Sequence, residues 1–541
     1  MQREGTWSGS PESRPAHIVV QAAAPRNDER MARVRPTAER AEGEEIMKHG
    51  TLTSITAITL FAALAIPVRL VAQEQHTHYR LIDLGTFGGP GSGVNLDKGS
   101  GASNNRGMAV GAEQTSIPIP PNSNEYSCGA PFVNHAFEWQ NSVVTDLGTL
   151  SAADNCSNAE WINERGESAG VSENDEIDPL LDVTEIRAVL WKDGQIKDLG
   201  TLGGNHSAAS SINNRGQVAG FALNAIPDPF SFFDLFIFGS SAGTQTRAFR
   251  WQNGAMQDLG TLGGPDAAAF LLNERGQVAG FSYTSSLTID PFLWENGTML
   301  DLGNLGGTFG GPNALNNRGH VVGVMNLAGD QAQHPFSWRR GILTDIGTFG
   351  GSSGVAQWVS ESGQVVGSAD HPGNEVHTAF SWKDGVMTDL GTVEGDICST
   401  AYGNNSKGQI VGTAGVCLGG MDAFLWENGS IVNLNDMVPP NSILHLVFAT
   451  AINDRGEIAG NGVPPGVSVY DWERLGHAFL LIPCREGNQA CEDHAEGATA
   501  VTSTFDRDPR TMTQPDPANH RMVAPFGAHG RRVPRQARLS D

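Results

Sequence analysis

A phrase that recurs eight times is the feature that most limits the fold of this chain, because self-similarity at a fixed period indicates a repeat architecture. Each copy reads as an apolar residue, Asn, two polar residues and Gly, followed by a short apolar strand that ends on Gly. A clean copy runs from Ile212 to Gly220. The turn glycines are Gly107, Gly166, Gly216, Gly276, Gly319, Gly363, Gly408 and Gly456. The unit is therefore about 44 residues long, and some copies carry insertions.

The second half of each unit reads Ala-Phe-x-Trp, a short turn, a short strand and Asp-Leu-Gly, with Trp251-Gln252-Asn253-Gly254 as one example of the turn. Asn-Gly and Asp-Gly accept the positive φ of tight hairpin turns. The Asn-x-x-Gly element indicates a second hairpin, in which Gly takes the left-handed conformation. Two hairpins give four short strands per unit, which is the content of a β-propeller blade.

The two ends of the repeat region distinguish a closed ring from a linear array of strands. Tyr79 to Gly85 match only the last strand of a unit, and His477 to Pro483 match only the third. Together they complete one blade, and a closed ring leaves no sheet edge exposed. The sequence therefore predicts an all-β fold, a single β-propeller of about eight four-stranded blades closed by pairing of the N- and C-terminal strands.

The segments outside the repeats predict an exported protein. Residues 1–46 show no apolar period and are interpreted as a disordered, non-native extension, with translation starting at Met47. Residues 47–72 have a charged start, an apolar run and a small-residue end, which is typical of a cleaved signal peptide; an uncleaved anchor is the alternative. The propeller is expected over 79–483 and a disordered polar tail over 484–541. We therefore expect an extracellular or periplasmic protein with no stable membrane span after cleavage.

Charge and cysteine content limit the partners and the compartment. The chain has 59 acidic and 35 basic residues, and this net charge of −24 argues against nucleic acid as a partner. Six cysteines, an even number, suit an oxidising compartment. Their places in the repeat predict the disulfides Cys128–Cys156, Cys398–Cys417 and Cys484–Cys491.

The repeated phrase also resembles a known family. His/Arg-Ala-Phe-x-Trp followed by Asp-Leu-Gly-Thr-Leu-Gly-Gly, seen from Arg247 to Gly264 and in part from His135 to Leu150, is similar to the HAF family of extracellular repeat proteins. The resemblance covers nearly everything from Tyr79 to Pro483. It implies export, no defined biochemical function and no catalytic residues, whereas the propeller is inferred here from strand counting.

The sequence contains no recognisable catalytic constellation. No metalloprotease helix motif, phosphate-binding loop, Cys-x-x-Cys pair or nucleophile-elbow serine stands in a supporting context, so we predict no catalytic residues, no metal and no cofactor. His135, His334 and His477 precede the Ala-Phe or Pro-Phe strand and are either metal ligands around the axis or polar strand-start residues. The second interpretation is favoured, because other units carry Arg, Asp or Thr at this position.

Two further patterns each have a structural and a functional interpretation. The tryptophans from Trp139 to Trp426, one per unit, are either sugar-stacking platforms or packing between blades, and packing is favoured. An acidic insertion indicates either calcium ligands or a solvated segment, and the solvated segment is favoured because the spacing of a known calcium loop is missing. Its acidic residues are Glu173, Asp175, Glu176, Asp178, Asp182 and Glu185.

Strand parity predicts which face carries the insertions. The insertions, roughly 112–134, 171–186, 221–246 and 461–476, fall between the second and third strands, opposite the Asn-x-x-Gly turns. Insertions on one face of a repeat protein usually mark its binding surface. The third is strongly apolar and is interpreted as a lid or docking segment, or as a plug on its own blade. The residues predicted to contact a ligand or partner are Phe230, Phe232, Phe233, Phe236 and Phe238.

Two functions are compatible with these patterns. The favoured one is a non-catalytic binding or surface-interaction module for an unknown glycan, envelope component or protein. The alternative is an extracellular hydrolase or lyase that degrades a polysaccharide or another polymer, since propellers also carry enzymes. An enzyme needs unlike blades that contribute reactive side chains to one centre, whereas these units differ mainly in insertion length.

Overall fold

A computed structural model describes residues 78–484, except 95–98, 125, 129–130, 152–153, 229–242 and 418. Residues 1–77, which include the predicted signal peptide, and the tail from 485 onwards lie outside the described residues. In the described part, 32 strands form eight four-stranded antiparallel blades, which confirms the predicted propeller. From blade 2 to blade 8 successive first strands contact one another, and in blade 1 the 3-10 turn Gly99–Ala102 contacts the first strands of blades 2 and 8, so this layer lies innermost.

The strands of the first four blades follow the repeat in chain order. Blade 1 contains β2 (Gly88–Gly93), β3 (Ala109–Pro118), β4 (Phe132–Gln140) and β5 (Val143–Asp146). Blade 2 contains β6 (Ser157–Ile162), β7 (Ser168–Asp178), β8 (Val183–Lys192) and β9 (Gln195–Asp198). Blade 3 contains β10 (Gly203–Ile212), β11 (Val218–Pro227), β12 (Thr244–Gln252) and β13 (Ala255–Asp258). Blade 4 contains β14 (Gly263–Leu272), β15 (Val278–Thr284), β16 (Ile289–Glu295) and β17 (Thr298–Asp301).

The remaining blades follow the same order, and blade 8 also takes up β1. Blade 5 contains β18 (Gly306–Leu315), β19 (Val321–Leu327), β20 (Gln333–Arg339) and β21 (Ile342–Asp345). Blade 6 contains β22 (Gly354–Val359), β23 (Val365–Asp370), β24 (His377–Lys383) and β25 (Val386–Gly391). Blade 7 contains β26 (Cys398–Asn404), β27 (Ile410–Val416), β28 (Gly419–Glu427) and β29 (Ser430–Asn433). Blade 8 contains β30 (His445–Ile452), β31 (Ile458–Val463), β32 (His477–Pro483) and β1 (Tyr79–Asp83).

The ring closes in blade 8, where the two ends of the repeat region meet. Strand β1 pairs antiparallel with β32, from Tyr79 opposite Pro483 to Asp83 opposite Phe479. Short helices lie outside the strands: 3-10 turns at Gly99–Ala102, Leu434–Met437 and Val469–Asp471, and helix α1 at Trp472–Leu475. No helix in the described residues has the length and hydropathy needed to cross a membrane.

The core lies between neighbouring blades. Phe249 and Trp251 on the third strand of blade 3 pack against Leu190 and Leu199 of blade 2. Of the tryptophans at this position, Trp139, Trp191, Trp251, Trp294 and Trp338 are buried, and Trp382 and Trp426 are partly buried against core clusters, which confirms the packing interpretation. The third-strand phenylalanines are fully buried as well: Phe137, Phe249, Phe292, Phe336, Phe380, Phe424 and Phe479.

Disulfides join loops on the face that carries the insertions. Cys128 is bonded to Cys156 and Cys398 to Cys417, which confirms both predicted pairs. Cys484 is also disulfide-bonded, and its predicted partner Cys491 lies outside the described residues.

Removal of the Cys398–Cys417 bridge by Cys398→Ala with Cys417→Ala is expected to lower the free energy of unfolding by about 3 kcal/mol, because the open chain gains loop entropy when unfolded. The two residues are 19 positions apart. Urea denaturation of oxidised protein measures the change. An unchanged midpoint for the double variant would contradict this expectation.

Candidate binding site at the propeller axis

The Asn-x-x-Gly turns build the innermost layer of one face. In blade 3, Asn213 Oδ1 accepts hydrogen bonds from the backbone N–H groups of Arg215 and Gln217 at 3.0 and 3.1 Å. Gly216 closes the turn with φ of 68°, which glycine adopts without strain. Asn213 Nδ2 then donates to the backbone carbonyl of Asn273 in blade 4 at 3.0 Å. The side chain of Asn213 thus stabilises its own turn and links that turn to the next blade through a hydrogen bond.

This contact repeats around the axis as a belt of amide hydrogen bonds. Seven asparagines donate to the next blade at 2.9–3.1 Å: Asn104, Asn163, Asn213, Asn273, Asn316, Asn405 and Asn453. The bond from Asn453 to the carbonyl of Asn104 joins blade 8 to blade 1 and closes the circle. The belt is interrupted at blade 6, where Ser360 takes the place of Asn and its hydroxyl bonds within its own turn.

Completing the belt by Ser360→Asn is expected to raise the free energy of unfolding by about 1 kcal/mol, the usual net value of one hydrogen bond. The new amide would donate to the carbonyl of Asn405, as the other asparagines do in their blades. Chemical denaturation measures the gain, and Ser360→Ala is the control that adds no donor. A variant Ser360→Asn that is no more stable than Ser360→Ala would refute the idea that the missing link is a lost hydrogen bond.

A second ring lies directly above the belt. The residue after each Asn donates its backbone N–H to the equivalent side chain of the next blade, as from Glu164 to Asn214 at 2.8 Å and from Asp454 to Asn105 at 3.0 Å. We call these seven residues, together with Glu361 after Ser360, the rim. Blades 2, 4, 6 and 8 contribute Glu164, Glu274, Glu361 and Asp454, and blades 1, 3, 5 and 7 contribute Asn105, Asn214, Asn317 and Ser406. The rim therefore alternates a carboxylate with a neutral polar group.

The rim surrounds the mouth of a cavity of about 320 Å³ to which all eight blades contribute. The residue before each belt position forms a third layer, the inner ring, which lines the same cavity. Six members are aliphatic and two are polar: Ile162, Ile212, Leu272, Leu315, Val359 and Ile452, with Ser103 and Asn404. The cavity thus combines a polar entrance with a largely apolar wall, which is the usual composition of a ligand pocket.

Two tryptophans meet across the axis at the cavity. Trp161 of blade 2 and Trp358 of blade 6 have ring centroids 6.5 Å apart and planes inclined by 34°. Both line the cavity, and they occupy one repeat position in blades that lie opposite each other in a ring of eight. Most other blades carry small residues at this position: Ala102, Ser211, Ala314, Gly403 and Ala451. Blade 4 carries Leu271 there, so only two blades, which lie opposite each other, carry an aromatic side chain at this position.

Several basic residues of this face have partners. Arg165 lies 2.8 Å from Glu167, just before β7, Arg275 lies 3.1 Å from Glu295 on β16, and Arg106 donates to the backbone carbonyl of the rim residue Glu164 at 3.3 Å. No Lys, Arg or His is among the residues that line the cavity. The charged residues that line the cavity are therefore the four rim carboxylates.

The structure separates the histidines that the sequence singled out. Each is bound to the Asp of the Asp-Leu-Gly or Asp-Ile-Gly turn in its own blade: His135 to Asp146 at 2.8 Å, His334 to Asp345 at 2.9 Å and His477 to Asp83 at 2.9 Å. These residues link the third strand to the fourth strand of one blade. The interpretation as polar strand-start residues is confirmed, and these histidines do not form a metal site.

The acidic insertion of blade 2 is an extension of strands β7 and β8, which pair as far as Asp178 and Val183. Glu173 accepts hydrogen bonds from the N–H groups of Asn124 and Cys156 at 2.7 and 2.8 Å, and Asp178 lies 3.0 Å from His206. Both carboxylates are buried, so the expectation of a solvated segment was wrong for them. The cross-strand register and contacts with neighbouring segments decide this burial, which composition does not reveal.

The pKa values of these two carboxyl groups differ in direction. Burial raises the pKa of Glu173, although the N–H groups of Asn124 and Cys156 oppose this effect. Burial also acts to raise the pKa of Asp178, but hydrogen bonds from Leu180 and Asn205 hold it below its usual value. Glu173 lies beside the Cys128–Cys156 disulfide, whose sulfurs are engaged in the bridge. The acidic residues of this insertion thus bind separate partners and do not converge on one ion.

The predicted contact residues of the third insertion, Phe230, Phe232, Phe233, Phe236 and Phe238, lie outside the described residues. The cavity lies on the face of the Asn-x-x-Gly turns, opposite the insertions, and the sequence did not predict this face to be the binding surface. A signal for it was present, because the position after the belt Asn carries Asn, Glu, Asp or Ser in every unit. The position before it is apolar in six units and polar in two.

Comparisons with known proteins assign no activity to this chain. No model of a known protein family and no curated protein sequence matches the chain. A puromycin-hydrolysing peptidase from Mycobacterium tuberculosis aligns with a TM-score of 0.38 and 11% identity, over 70% of this chain and 61% of that chain. Dipeptidyl peptidase 4 from Porphyromonas gingivalis aligns with a TM-score of 0.39 and 8% identity, over 66% of this chain and 56% of that chain. A lectin from Aleuria aurantia aligns with a TM-score of 0.25 and 9% identity, over 52% of this chain and 93% of that chain.

These low TM-scores and identities do not support transfer of any activity from the aligned proteins to this chain. The chain spans about three fifths of the length of the Mycobacterium tuberculosis peptidase. At TM-scores this low, neither peptidase activity nor fucoside binding is carried over to this chain.

Proposed function

We propose that this protein is an exported, non-catalytic binding propeller of the HAF-repeat type, and that its ligand occupies the axial cavity on the Asn-x-x-Gly face. One observation carries the proposal. All eight blades contribute to one cavity of about 320 Å³, in which a polar rim surrounds an aliphatic inner ring and two indoles. Ligand pockets in proteins are usually apolar clefts of about 300–1,000 Å³ with a few converging polar groups.

Export is supported by the cysteine chemistry. Two disulfides in the described residues are consistent with an oxidising compartment, in which such bonds persist. The signal peptide over 47–72 and the membership of the HAF family remain parts of the proposal, since they rest on the sequence pattern alone.

Binding is favoured over catalysis by the chemistry of the cavity wall. Its lining residues are Ser, Asn, Trp, Ile, Leu, Val, Glu and Asp, with no His or Lys to activate a serine, so the carboxylates are the groups that catalysis would need. The rim carboxylates accept backbone hydrogen bonds from the preceding blade, as Glu361 does from Asn317 at 2.9 Å. They thus also hold neighbouring turns together.

A screen of the full chain against glycan and metabolite libraries tests the proposal. Leu315→Trp places an indole in the cavity from a half-buried inner-ring position, and Asn317→Trp places one at the rim. We expect any specific ligand of the wild type to be lost in both variants and retained in Ile342→Trp, where the exposed outer strand β21 receives the same side chain.

Two results would count against this proposal. Ligands that bind both cavity variants as tightly as they bind the wild type would move the site away from the axis. Mass spectrometry of the bound material distinguishes an unchanged ligand from a cleaved product, and cleavage would favour the polymer-degrading alternative.

A further inference from the structure

Three side chains with metal-binding atoms meet between blades 6 and 7. His377 begins β24, Cys398 begins β26, and Cys417 lies in the loop between β27 and β28. One imidazole nitrogen and the two sulfurs all lie within 4.8 Å of one another. The sulfurs are joined in a disulfide, and only a thiolate is a strong metal ligand. The disulfide therefore determines whether these three atoms are able to bind a metal.

The strand ladders hold the three residues close to one another independently of the bridge. Cys398 pairs with Gly415 on β27, two residues before Cys417 in the same hairpin. The backbone N–H of His377 donates to Cys398 Sγ at 3.4 Å, from the neighbouring blade. Hydrogen bonds to the ligand atoms orient them and tune a metal site. The ligand atoms should therefore remain neighbours after the S–S bond is broken.

The observed separations suit zinc. Zn–S distances of about 2.3 Å and Zn–N distances of about 2.0–2.1 Å place tetrahedral ligand atoms about 3.5–3.8 Å apart. After reduction the two sulfurs must move apart by roughly 1.5–2 Å from their bonded distance. Cys417 lies between Gly415 and Gly419, and the pairing of β27 with β28 is irregular at Gly415. Glycine gives this loop the conformational freedom that such a shift requires.

The second cluster of this kind in the described residues has different chemistry. It combines Cys128 and Cys156 with Glu173, and all three residues are buried. Glu173 already accepts two backbone hydrogen bonds, and no imidazole belongs to the cluster. In contrast, His377 and Cys417 are only partly buried, so a reductant and a metal ion can reach them. The two bridges therefore differ in access and in the ligands beside them.

Opening of the accessible bridge is a thiol–disulfide exchange with a dithiol as the reductant. A thiolate of the dithiol attacks Cys417 Sγ, the S–S bond breaks, and Cys398 leaves as a thiolate. The second thiol of the dithiol then attacks the mixed disulfide and releases Cys417. The dithiol becomes a cyclic disulfide, and the two cysteines gain two electrons and two protons. A bound zinc ion then displaces these two protons.

We propose that the Cys398–Cys417 bridge is the oxidised state of a redox-dependent zinc site, whose two thiolates bind Zn²⁺ together with the imidazole of His377 after reduction. Two sulfurs and one nitrogen leave the fourth tetrahedral position for water or a small ligand, as in zinc sites with an open position. This inference goes beyond the proposed function and does not depend on the axial cavity.

Zinc titration of the full chain in its oxidised and reduced states tests the proposal. The protein is reduced with dithiothreitol, freed of the reductant without oxygen, and titrated with Zn²⁺ against a chromogenic chelator. Alkylation and peptide mapping identify the bridges that have opened. We expect the reduced protein to bind zinc at least about 100-fold more tightly than the oxidised protein. Co²⁺ should give the absorption bands of a tetrahedral site with thiolate ligands.

Variants assign the binding to these three side chains. Cys398→Ser with Cys417→Ser removes both thiolates and should abolish the tight zinc binding of the reduced protein. His377→Ala should weaken it at least about tenfold and change the Co²⁺ spectrum. The matched control is His371→Ala in the same blade, because His371 Nε2 lies 2.8 Å from Thr378 Oγ1 and outside the cluster. This control should keep the affinity of the wild type.

Melting temperatures show whether the reduced proteins are folded. Zinc should raise the melting temperature of the reduced wild type and leave that of the reduced double serine variant unchanged. The site is wrong if the reduced wild type binds zinc no more tightly than the oxidised protein, or if the double serine variant binds it equally well. An unchanged affinity and Co²⁺ spectrum in His377→Ala would exclude the imidazole as a ligand. None of these results bears on ligand binding in the axial cavity.

Discussion

Replacement of Gly323 by Ala is expected to lower the free energy of unfolding by at least about 3 kcal/mol, at the upper end of the usual effect of overpacking. Gly323 lies on β19, the second strand of blade 5, directly opposite Pro312 on β18. A Cβ atom at Gly323 would overlap the backbone carbonyl oxygen of Gly311 and lie 2.7 Å from the Cα of Pro312. Backbone atoms cannot rotate away as a side chain can, so the first strand must move.

Gly311→Ala in the same blade is the matched control. A Cβ at Gly311 meets its nearest neighbours, the rings of Phe281 and Phe309, at an ordinary contact distance of 3.6 Å. Urea denaturation of both variants compares them directly. Equal losses of stability in Gly323→Ala and Gly311→Ala would show that the close approach of the two strands is not what excludes a side chain at Gly323.

The same steric conflict occurs at the equivalent second-strand position of every blade. A Cβ there would overlap a carbonyl oxygen of the adjoining first strand at Gly111, Gly170, Gly220, Gly280, Gly323, Gly367, Gly412 and Gly460. The glycine that closes the repeated phrase is therefore a consequence of how closely the first and second strands approach near the axis.

The second large effect concerns pH. Glu113 on β3 is 1% exposed, and burial, with contributions from Asp146 and Asp83, raises its pKa to about 9. Its Oε1 atom has no hydrogen-bond partner. The other blades carry small or apolar residues at this position: Ser172, Ala222, Ser282, Met325, Ala369, Ala414 and Gly462. Glu113 thus occupies a buried position at which its neighbours raise its pKa and none of them stabilises the ionised carboxylate.

The sign of the pH effect follows from proton binding. In the folded protein Glu113 keeps its proton up to about pH 9, whereas in the unfolded chain it ionises near the ordinary glutamate pKa of 4.5. The folded state binds more protons between these values, so the stabilising contribution is complete below about pH 4.5 and is lost as the pH rises towards 9. Between about pH 5 and about pH 8 the wild type should lose roughly 3–4 kcal/mol relative to Glu113→Gln, at 1.36 kcal/mol per pH unit.

Denaturation curves of the wild type and Glu113→Gln over this pH range provide the measurement. Because all other titratable groups are common to both proteins, the difference between their stabilities isolates Glu113. Glu176→Gln, at an exposed position of the blade 2 insertion, is the control substitution. Parallel pH profiles for the wild type and Glu113→Gln would show that the buried carboxyl does not carry this linkage.

Much of the fold was predictable because it is encoded locally and repeated eight times. A short segment such as Trp251 to Gly254 specifies a hairpin wherever it occurs, since Asn253 and Gly254 adopt positive φ of 54° and 87°. The incomplete units at Tyr79 and His477 predicted the closing pair β1 and β32. The places of the cysteines within the repeat likewise predicted two disulfides correctly.

The sequence alone therefore determined the blade, the number of blades, the closure and two of the bridges. The axial site was decided only by the tertiary structure, because its parts are brought together by the ring. Ser103 and Asn404 are some 300 residues apart in the chain, and they reach one cavity because blades 7 and 1 flank blade 8. Trp161 and Trp358 meet because a ring of eight places blades 2 and 6 opposite each other. Local patterns set which residues begin and end each strand, whereas contact across the axis depends on the closed ring as a whole.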